Sequence, residues 1–437
     1  MLRANATMFE AAPSGPSIDF SALNVAPLVP QLRSNPHPNP HPDARRDSHS
    51  SAKATANGPL TYEVIDDQAG FGALESEWND LFARAGRPTQ VFQTFRWNWH
   101  WCRHFVWNTP VIAKQAALII TARDHGRLVM VWPLAMERAG MLRQLVWMGE
   151  PVSQFGDILA DTDTVTPSAI RDSWVFVLKA LKPDVVRLRR VRADAIIAPH
   201  LASLASLETV VNEAPYLDLT SAADFTAYEQ RYSSKARKNR RRLARRLEEQ
   251  GAVKYARLSQ TPAAGQAARQ AVEMKQSWLR DRGLLSPAMA DPRFAAFMSD
   301  VASAAECATA GVTVSLLTLN DATVGIQIGV IAKRRLSLHV IVYDLAYEKS
   351  GVGVLHLEHA IAEAYDHGLT TIDLLAPKAD YKMDWADGTV AVIDHAVPVS
   401  AVGRIYAHLY LGFVRERAKS LVQRLPSSIT RHLIARR

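Results

Sequence analysis

The run Val312-Thr-Val-Ser-Leu-Leu-Thr-Leu-Asn-Asp-Ala-Thr-Val-Gly-Ile-Gln-Ile-Gly-Val-Ile-Ala-Lys-Arg-Arg-Leu-Ser-Leu-His-Val-Ile-Val-Tyr343 reads as three successive strands. They cover 312–319, 323–332 and 335–343, each rich in β-branched and apolar residues. Asn320-Asp321 and Lys333-Arg334 fall where tight turns belong. Outward from this meander the pattern changes period. After 344–350 a helix is predicted over 351–367, ended by Gly368, followed by strands over 370–375 and 390–397. Before the meander lie a long helix over 222–250 stopping at Gly251, a strand over 253–258, and helices over 262–282 and 292–310. The order places a glycine-containing turn between the third strand and a helix start, where backbone N–H groups are free to bind an anion.

The N-terminal part is mixed as well. A strand at 62–65 precedes helices over 71–85 and 92–106. Runs at 111–123 and 127–138 flank Asp124-His-Gly126, a hairpin signal. Strands are expected at 142–147, 155–159, 184–188 and 209–219, with a helix over 166–181. Trp97, Trp99, Trp101 and Trp107 read as the packing of an aromatic-rich helix rather than as a stacking platform. Residues 1–58, with Asn35-Pro-His-Pro-Asn-Pro-His-Pro42, read as a disordered tail, because alternate prolines remove donors and fix φ. The expected organisation is therefore a tail over 1–58, α/β domains over 59–217 and 218–400, and a basic amphipathic helix over 401–437.

Composition bounds the rest. With 437 residues and 22% of them charged, the chain is long enough for two cores and too ordinary to be disordered throughout. Cys102 and Cys307 have no partner at metal-ligand or framework spacing, so neither a zinc ribbon nor a disulfide scaffold is expected. His356 and His359 do not match a metalloprotease motif, and no metal is expected. No apolar run reaches the length of a membrane span, and no signal-peptide pattern opens the chain, so the expected location is cytoplasmic.

The net charge of +8 is localised. Residues 231–247 hold nine Lys/Arg and no acid, and 401–437 hold eight Lys/Arg against Glu416 alone. Both segments suit an anionic partner or the inner face of a membrane, whereas no helix-turn-helix, zinc-finger or RNP-type motif supports sequence-specific nucleic-acid reading.

Two clusters carry the chemistry. Ser350, Gly351, Val352 and Gly353 open the helix after the meander, and glycine lets the backbone approach an oxygen-rich ligand while the helix dipole favours a diphosphate. It is not a dinucleotide fingerprint, because His356 stands where a third glycine would be needed. The second cluster, Asp373-Leu-Leu-Ala-Pro-Lys-Ala-Asp-Tyr-Lys-Met-Asp-Trp385, brings an acid, Lys378, Tyr381, Lys382 and Trp385 to a loop after a strand. A phenol there can act as general acid and an ammonium can stabilise an oxyanion.

The meander, the Ser350-Gly351 turn, the helix, Asp373 and Tyr381-Lys382-x-x-Trp385 together resemble the GNAT acyltransferase superfamily. Within it the chain is similar to the CelD-like branch associated with cellulose and exopolysaccharide synthesis, related to the Fem peptidoglycan-bridge transferases. The basic segment from Lys235 to Arg242, Gly251, Trp278 and Arg282-Gly283 also fit. The resemblance is strongest over 218–390 and fainter over 60–215. It implies tandem GNAT-like domains with mixed, mainly antiparallel sheets flanked by helices. It implies acetyl-CoA or another acyl-CoA as donor, its diphosphate on 350–353, and an amine acceptor on a sugar, nucleotide-sugar or envelope precursor. Glu348, an anion, stands where the superfamily carries Gln or Arg. Tyr381 is then expected to protonate the thiolate, Lys382 to stabilise charge and Asp373 to orient the amine. Arg237, Asn239, Arg240, Trp278, Lys378 and Trp385 are expected to bind substrate. Two alternatives stand beside this: a non-catalytic accessory of polysaccharide synthesis docking to anionic partners, and a Fem-like transferase using aminoacyl-tRNA.

Overall fold

The computed structural model describes residues 60–108, 115–204, 206–282, 284, 286–304 and 310–414. The expected tail and the basic segment beyond 414 lie outside these residues. The first half contains β1 (Thr61–Ile65), α1 (Gln68–Ala73), α2 (Glu75–Ala85), α3 (Phe95–Cys102), β2 (Gln115–Asp124), β3 (Arg127–Ala139), β4 (Leu142–Trp147), β5 (Leu159–Ala160), α4 (Pro167–Leu181), β6 (Val185–Arg192), α5 (Ala198–Ala202) and β7 (Leu207–Asp218). The second half contains α6 (Phe225–Glu229), α7 (Ser234–Glu248), β8 (Val253–Ser259), α8 (Pro262–Asp281), α9 (Pro287–Ala290), α10 (Arg293–Ser303), β9 (Ala310–Leu319), β10 (Ala322–Ala332), β11 (Arg335–Tyr343), α11 (Val352–Asp366), β12 (Thr371–Asp373), α12 (Asp380–Met383), β13 (Gly388–Pro398) and α13 (Ala401–Ile405), which continues as a wider π-type helix over Tyr406–Val414.

The meander forms as its sequence requires. Asn320 and Asp321 have φ of 51° and 64°, and Lys333 and Arg334 have 44° and 66°. Two consecutive left-handed residues match the twist of the strands they join. The non-glycine pair Lys333-Arg334 is held by Lys333 Nζ donating to Ala83 O (3.0 Å) and Arg334 Nε to Gly368 O (2.6 Å). The expected helix over 222–250 is instead two. Asp224 caps α6 through Ala227 N, and Ser233 caps α7 through Ala236 N. Two side-chain caps nine residues apart start two helices, and the uniform basic composition hid that break.

All thirteen strands lie in one sheet, in the order β1-β2-β3-β4-β6-β13-β7-β12-β11-β10-β9-β8, with β5 on β3. Each half repeats one plan: an antiparallel meander, a helix, then a strand parallel to the last meander strand. β4 pairs with β6 this way at Gln144–Val185, and β11 with β12 at Arg335–Thr371. The halves interlock, because β13 lies between β6 and β7, and β7 pairs with β12. On one face Val312, Val314, Ile326, Ile328 and Val340 pack on Ala264, Ala268 and Val272 of α8 and Phe294 and Phe297 of α10, in a cluster that also holds Trp78, Phe92 and Trp97 of the first half. On the other face Leu336 and Leu338 meet Leu357 and Ile361 of α11, and Leu317 meets Leu243 and Leu247 of α7. Period-2 alternation along the strands thus feeds two helical layers.

Candidate active site

β11 and β12 pair over only three positions, Arg335–Thr371, Leu336–Ile372 and Ser337–Asp373. Beyond them the strands part. In β11 the register with β10 passes from Ile328–Val340 to Gly329–Leu338, which leaves His339 as a bulge. Past Asp373 the chain leaves toward the first half, where Leu374 N donates to Pro215 O (2.9 Å). The result is a V-shaped opening with β11 from Leu338 to Tyr343 along one wall.

Two lysines stand on its walls. Lys275 of α8 donates from Nζ to Ile341 O (3.1 Å), and its ammonium lies 4.1 Å from the Trp278 ring centroid. Lys382 of α12 donates to Leu375 O (2.7 Å) and Pro377 O (2.9 Å). Burial lowers Lys275 to about 8, and the charge of Arg282 adds to the shift. Burial likewise brings Lys382 to about 8; Asp373 opposes the shift, and the charge of Lys275 reinforces it. The two ammonium groups therefore sense one another. Next to Lys382 on the same short helix, Tyr381 turns outward and is 53% exposed. Its hydroxyl is raised above the usual tyrosine value by desolvation and by Tyr343.

Tyr343, at the end of β11, connects this region to the start of α11. A Cβ on Gly353 would meet the Tyr343 ring at 3.1 Å, so the ring lies on that glycine. Tyr343 OH approaches Glu348 Oε1 (3.4 Å), which also accepts from Arg282 Nη2 (2.6 Å). Arg282 in turn lies 4.1 Å from the Trp278 centroid. Glu348 is thus balanced by a cation from the end of α8. Gly351 has a φ of 73°, the left-handed cap that only glycine adopts at little cost, and a Cβ there would meet Leu243 Cδ1 at 2.7 Å. The first intrahelical bonds run from Val354 and Leu355 to Gly351 O, both 3.0 Å. The amides of Val352 and Gly353 precede them, as the orphan donors of any helix start do. The Val352 side chain is fully buried, and Ser350 is half-buried. The glycine turn is therefore narrower than an open cradle, lined on its Cα sides by Leu243 and Tyr343.

Several expected site residues have other work. Asp373 is fully buried; its Oδ2 accepts from Arg192 (3.0 Å) and Arg335 (2.6 Å), and its Oδ1 from Leu375 N (2.8 Å). This corrects the amine-orienting role, because both oxygens are committed to holding β6, β11 and the loop after β12 together. Arg240 is 6% exposed and pairs with Glu358 of α11 between the rings of Tyr232 (4.7 Å) and Trp385 (5.0 Å). It and Trp385 lock α7 and the loop into the core rather than facing a substrate. Arg237 donates to Tyr232 O (2.6 Å), Asn239 accepts from Arg242 (2.8 Å), and Lys378 pairs with Glu213 (2.8 Å) at the surface. Trp278, Tyr381 and Lys382 are the expected residues that the fold brings to the V.

The sequence reading missed Lys275 and Tyr343. A signal existed for the first: Ala264, Ala267, Ala268, Ala271 and Val272 form the buried stripe of α8, and Lys275 continues it at i+3 and i+4. His356 is buried, lowered to about 3 by desolvation, and bonded through Nε2 to Ser315 Oγ (2.8 Å), while His359 stacks on Tyr255 at 3.8 Å. Among the described residues no group of three His, Cys, Asp or Glu could hold a metal ion, and no helix is long and apolar enough to cross a membrane.

FemX, a solved structure, is similar at 11% identity with a TM-score of 0.51, over 80% of this chain and 100% of that one. The C-terminal domain of a putative lysylphosphatidylglycerol synthetase from Agrobacterium fabrum is similar at 11% identity with a TM-score of 0.48, over 77% of this chain and 94% of that one. A tandem GNAT protein from the clavulanic acid biosynthesis pathway is similar at 12% identity with a TM-score of 0.44, over 77% and 98%. At such identities the likeness to FemX is one of fold. No curated protein matches the sequence. Residues 234–383, the stretch that holds every residue of the V, match the family model of the acetyltransferase (GNAT) domain.

Proposed function

We propose that the protein transfers an acyl group from an acyl-CoA thioester to an amine, with the acceptor a sugar, nucleotide-sugar or envelope precursor of the kind handled in exopolysaccharide synthesis. The observation that carries the reading is the parting of β11 and β12 directly before a helix whose first amides follow from the same strand. An extended donor laid along β11 would run from the His339 bulge to Gly353, with its diphosphate at the positive end of α11. The amine attacks the thioester carbonyl; the C–N bond forms, the C–S bond breaks, and the amine proton is lost to solvent. Lys382, with one N–H not used by the loop carbonyls, stabilises the developing oxyanion. Tyr381, a hydroxyl still protonated at neutral pH, gives its proton to the departing thiolate.

A second observation favours attachment of this enzyme to an anionic membrane. Val402, Ile405 and Leu409 are 55%, 63% and 57% exposed along one side of the C-terminal helix. The residues that follow from 415 are strongly basic.

The donor reading is tested by titrating acyl-CoA into the unaltered protein, Gly353→Asp and Gly353→Asn. Both variants press on the Tyr343 ring alike, so the difference between them reads the charge, which in the aspartate repels a diphosphate. The expected loss for Gly353→Asp is tenfold or more, about 1.4 kcal/mol, with a smaller loss for the neutral isostere. Equal affinity for all three would remove the diphosphate from this turn, and no binding of any acyl-CoA would remove the donor.

A further inference from the structure

The V holds more positive charge than an uncharged acyl chain and a neutral amine require. Among the described residues, no carboxylate oxygen lies within ion-pair distance of Lys275 or Lys382; their acceptors are the neutral carbonyls of Ile341, Leu375 and Pro377. Asp380 and Asp384 flank Lys382 in the loop but are exposed and make no ion pair with it, and Asp373 is already held by two arginines. Arg282, at the same end of α8, is balanced by Glu348. The surplus in the opening is therefore two ammonium groups, one on each wall. Lys275 uses one of its three N–H donors on Ile341 O, which leaves donors and a point charge to meet a carboxylate. A lysine kept at the end of an Ala/Val stripe also costs desolvation that a plain packing residue would not.

We propose that Lys275 binds a substrate carboxylate in the V, with the charge of Lys382 reinforcing it, so that one of the two reactants carries a free carboxylate close to the transferred acyl group. This rests on the acyl-transfer reading above and narrows its substrate class. The carboxylate has two sources: the far end of a dicarboxylic acyl group, or the amine acceptor. Burial lowers both lysines to about 8, which sets the pH range of the effect. Below about pH 8 both are charged and the carboxylate is held; above it the charge is lost and so is the preference.

The test uses the full chain and two pairs of probes. Calorimetric titration compares succinyl-CoA with butyryl-CoA; transfer from acetyl-CoA compares β-alanine with its amide. At pH 7 one pair should show a preference of roughly tenfold or more for the carboxylated member, the range of a charge-assisted hydrogen bond. The arm that shows it identifies the source. The preference should shrink toward unity at pH 9.5. Lys275→Met should also remove it, whereas Lys275→Arg, which keeps a cation, should retain most of it. Equal behaviour of both pairs in a protein that does bind acyl-CoA overturns this inference and leaves acyl transfer standing. A preference that survives in Lys275→Met overturns the assignment to this residue. Failure to bind any acyl-CoA removes the donor reading and this inference with it.

Discussion

Asp373 shows how an acid in a promising loop can be structural. With both oxygens engaged and no exposure, its removal strips Arg335 of its buried counter-charge, while Arg192 keeps only Asp194. Breaking a buried pair in this way costs about 3–5 kcal/mol. Asp373→Asn should therefore lower the unfolding free energy measured in urea by that amount, and any loss of transfer should follow the loss of folded protein; an unfolding curve like that of the unaltered chain would return Asp373 to the reacting groups. The sequence showed the acid and the loop but not the arginines, which lie 181 and 38 positions away. Arg240 and Trp385 were equally illegible, since their contact joins α7 to a loop far along the chain. Lys275 is the converse: its position in an apolar stripe was readable and went unread.

At the scale of elements, the meander was legible because alternation and turn residues agree locally. The expected helix over 222–250 failed where composition outweighed capping. α13 illustrates an element whose two sides differ in purpose. Gly403 lets it approach Asp184 O so closely that a Cβ would stand 1.7 Å away, and Ala407 and Leu411 pack beneath it. Its opposite side presents Val402, Ile405 and Leu409 to solvent. Each apolar side chain removed from water is worth about 1.5–3 kcal/mol, and each basic residue near an anionic surface about 1 kcal/mol. The protein should float with phosphatidylserine vesicles at low salt and less so at high salt. Ile405→Asp combined with Leu409→Asp should abolish flotation. A protein that stays in the aqueous fraction under every condition would exclude membrane contact by this face.

At the scale of the molecule, the halves expected over 59–217 and 218–400 share one sheet and one apolar cluster. β7 ends at the expected boundary yet pairs with strands of the second half on both of its edges. Cutting there would strip a central strand from each side and expose Val392, Ala214 and Leu217, all now buried. Urea unfolding followed by tryptophan fluorescence and by far-ultraviolet circular dichroism should therefore give one coincident transition. Two separated transitions would mean that the halves are energetically independent. Duplication of the α/β plan was visible in the sequence, but the exchange was not, because strand order is set by pairings that leave no local periodicity.

The place of β13 between β6 and β7 also bears on how the chain is made. Ribosomes release residues in order, so the slot in the middle of the sheet stays vacant until position 398 has emerged. Until then β6 and β7 present bare edges to one another. A chain that ends before β13 is thus left with a gap in the middle of its sheet, where the two halves should join.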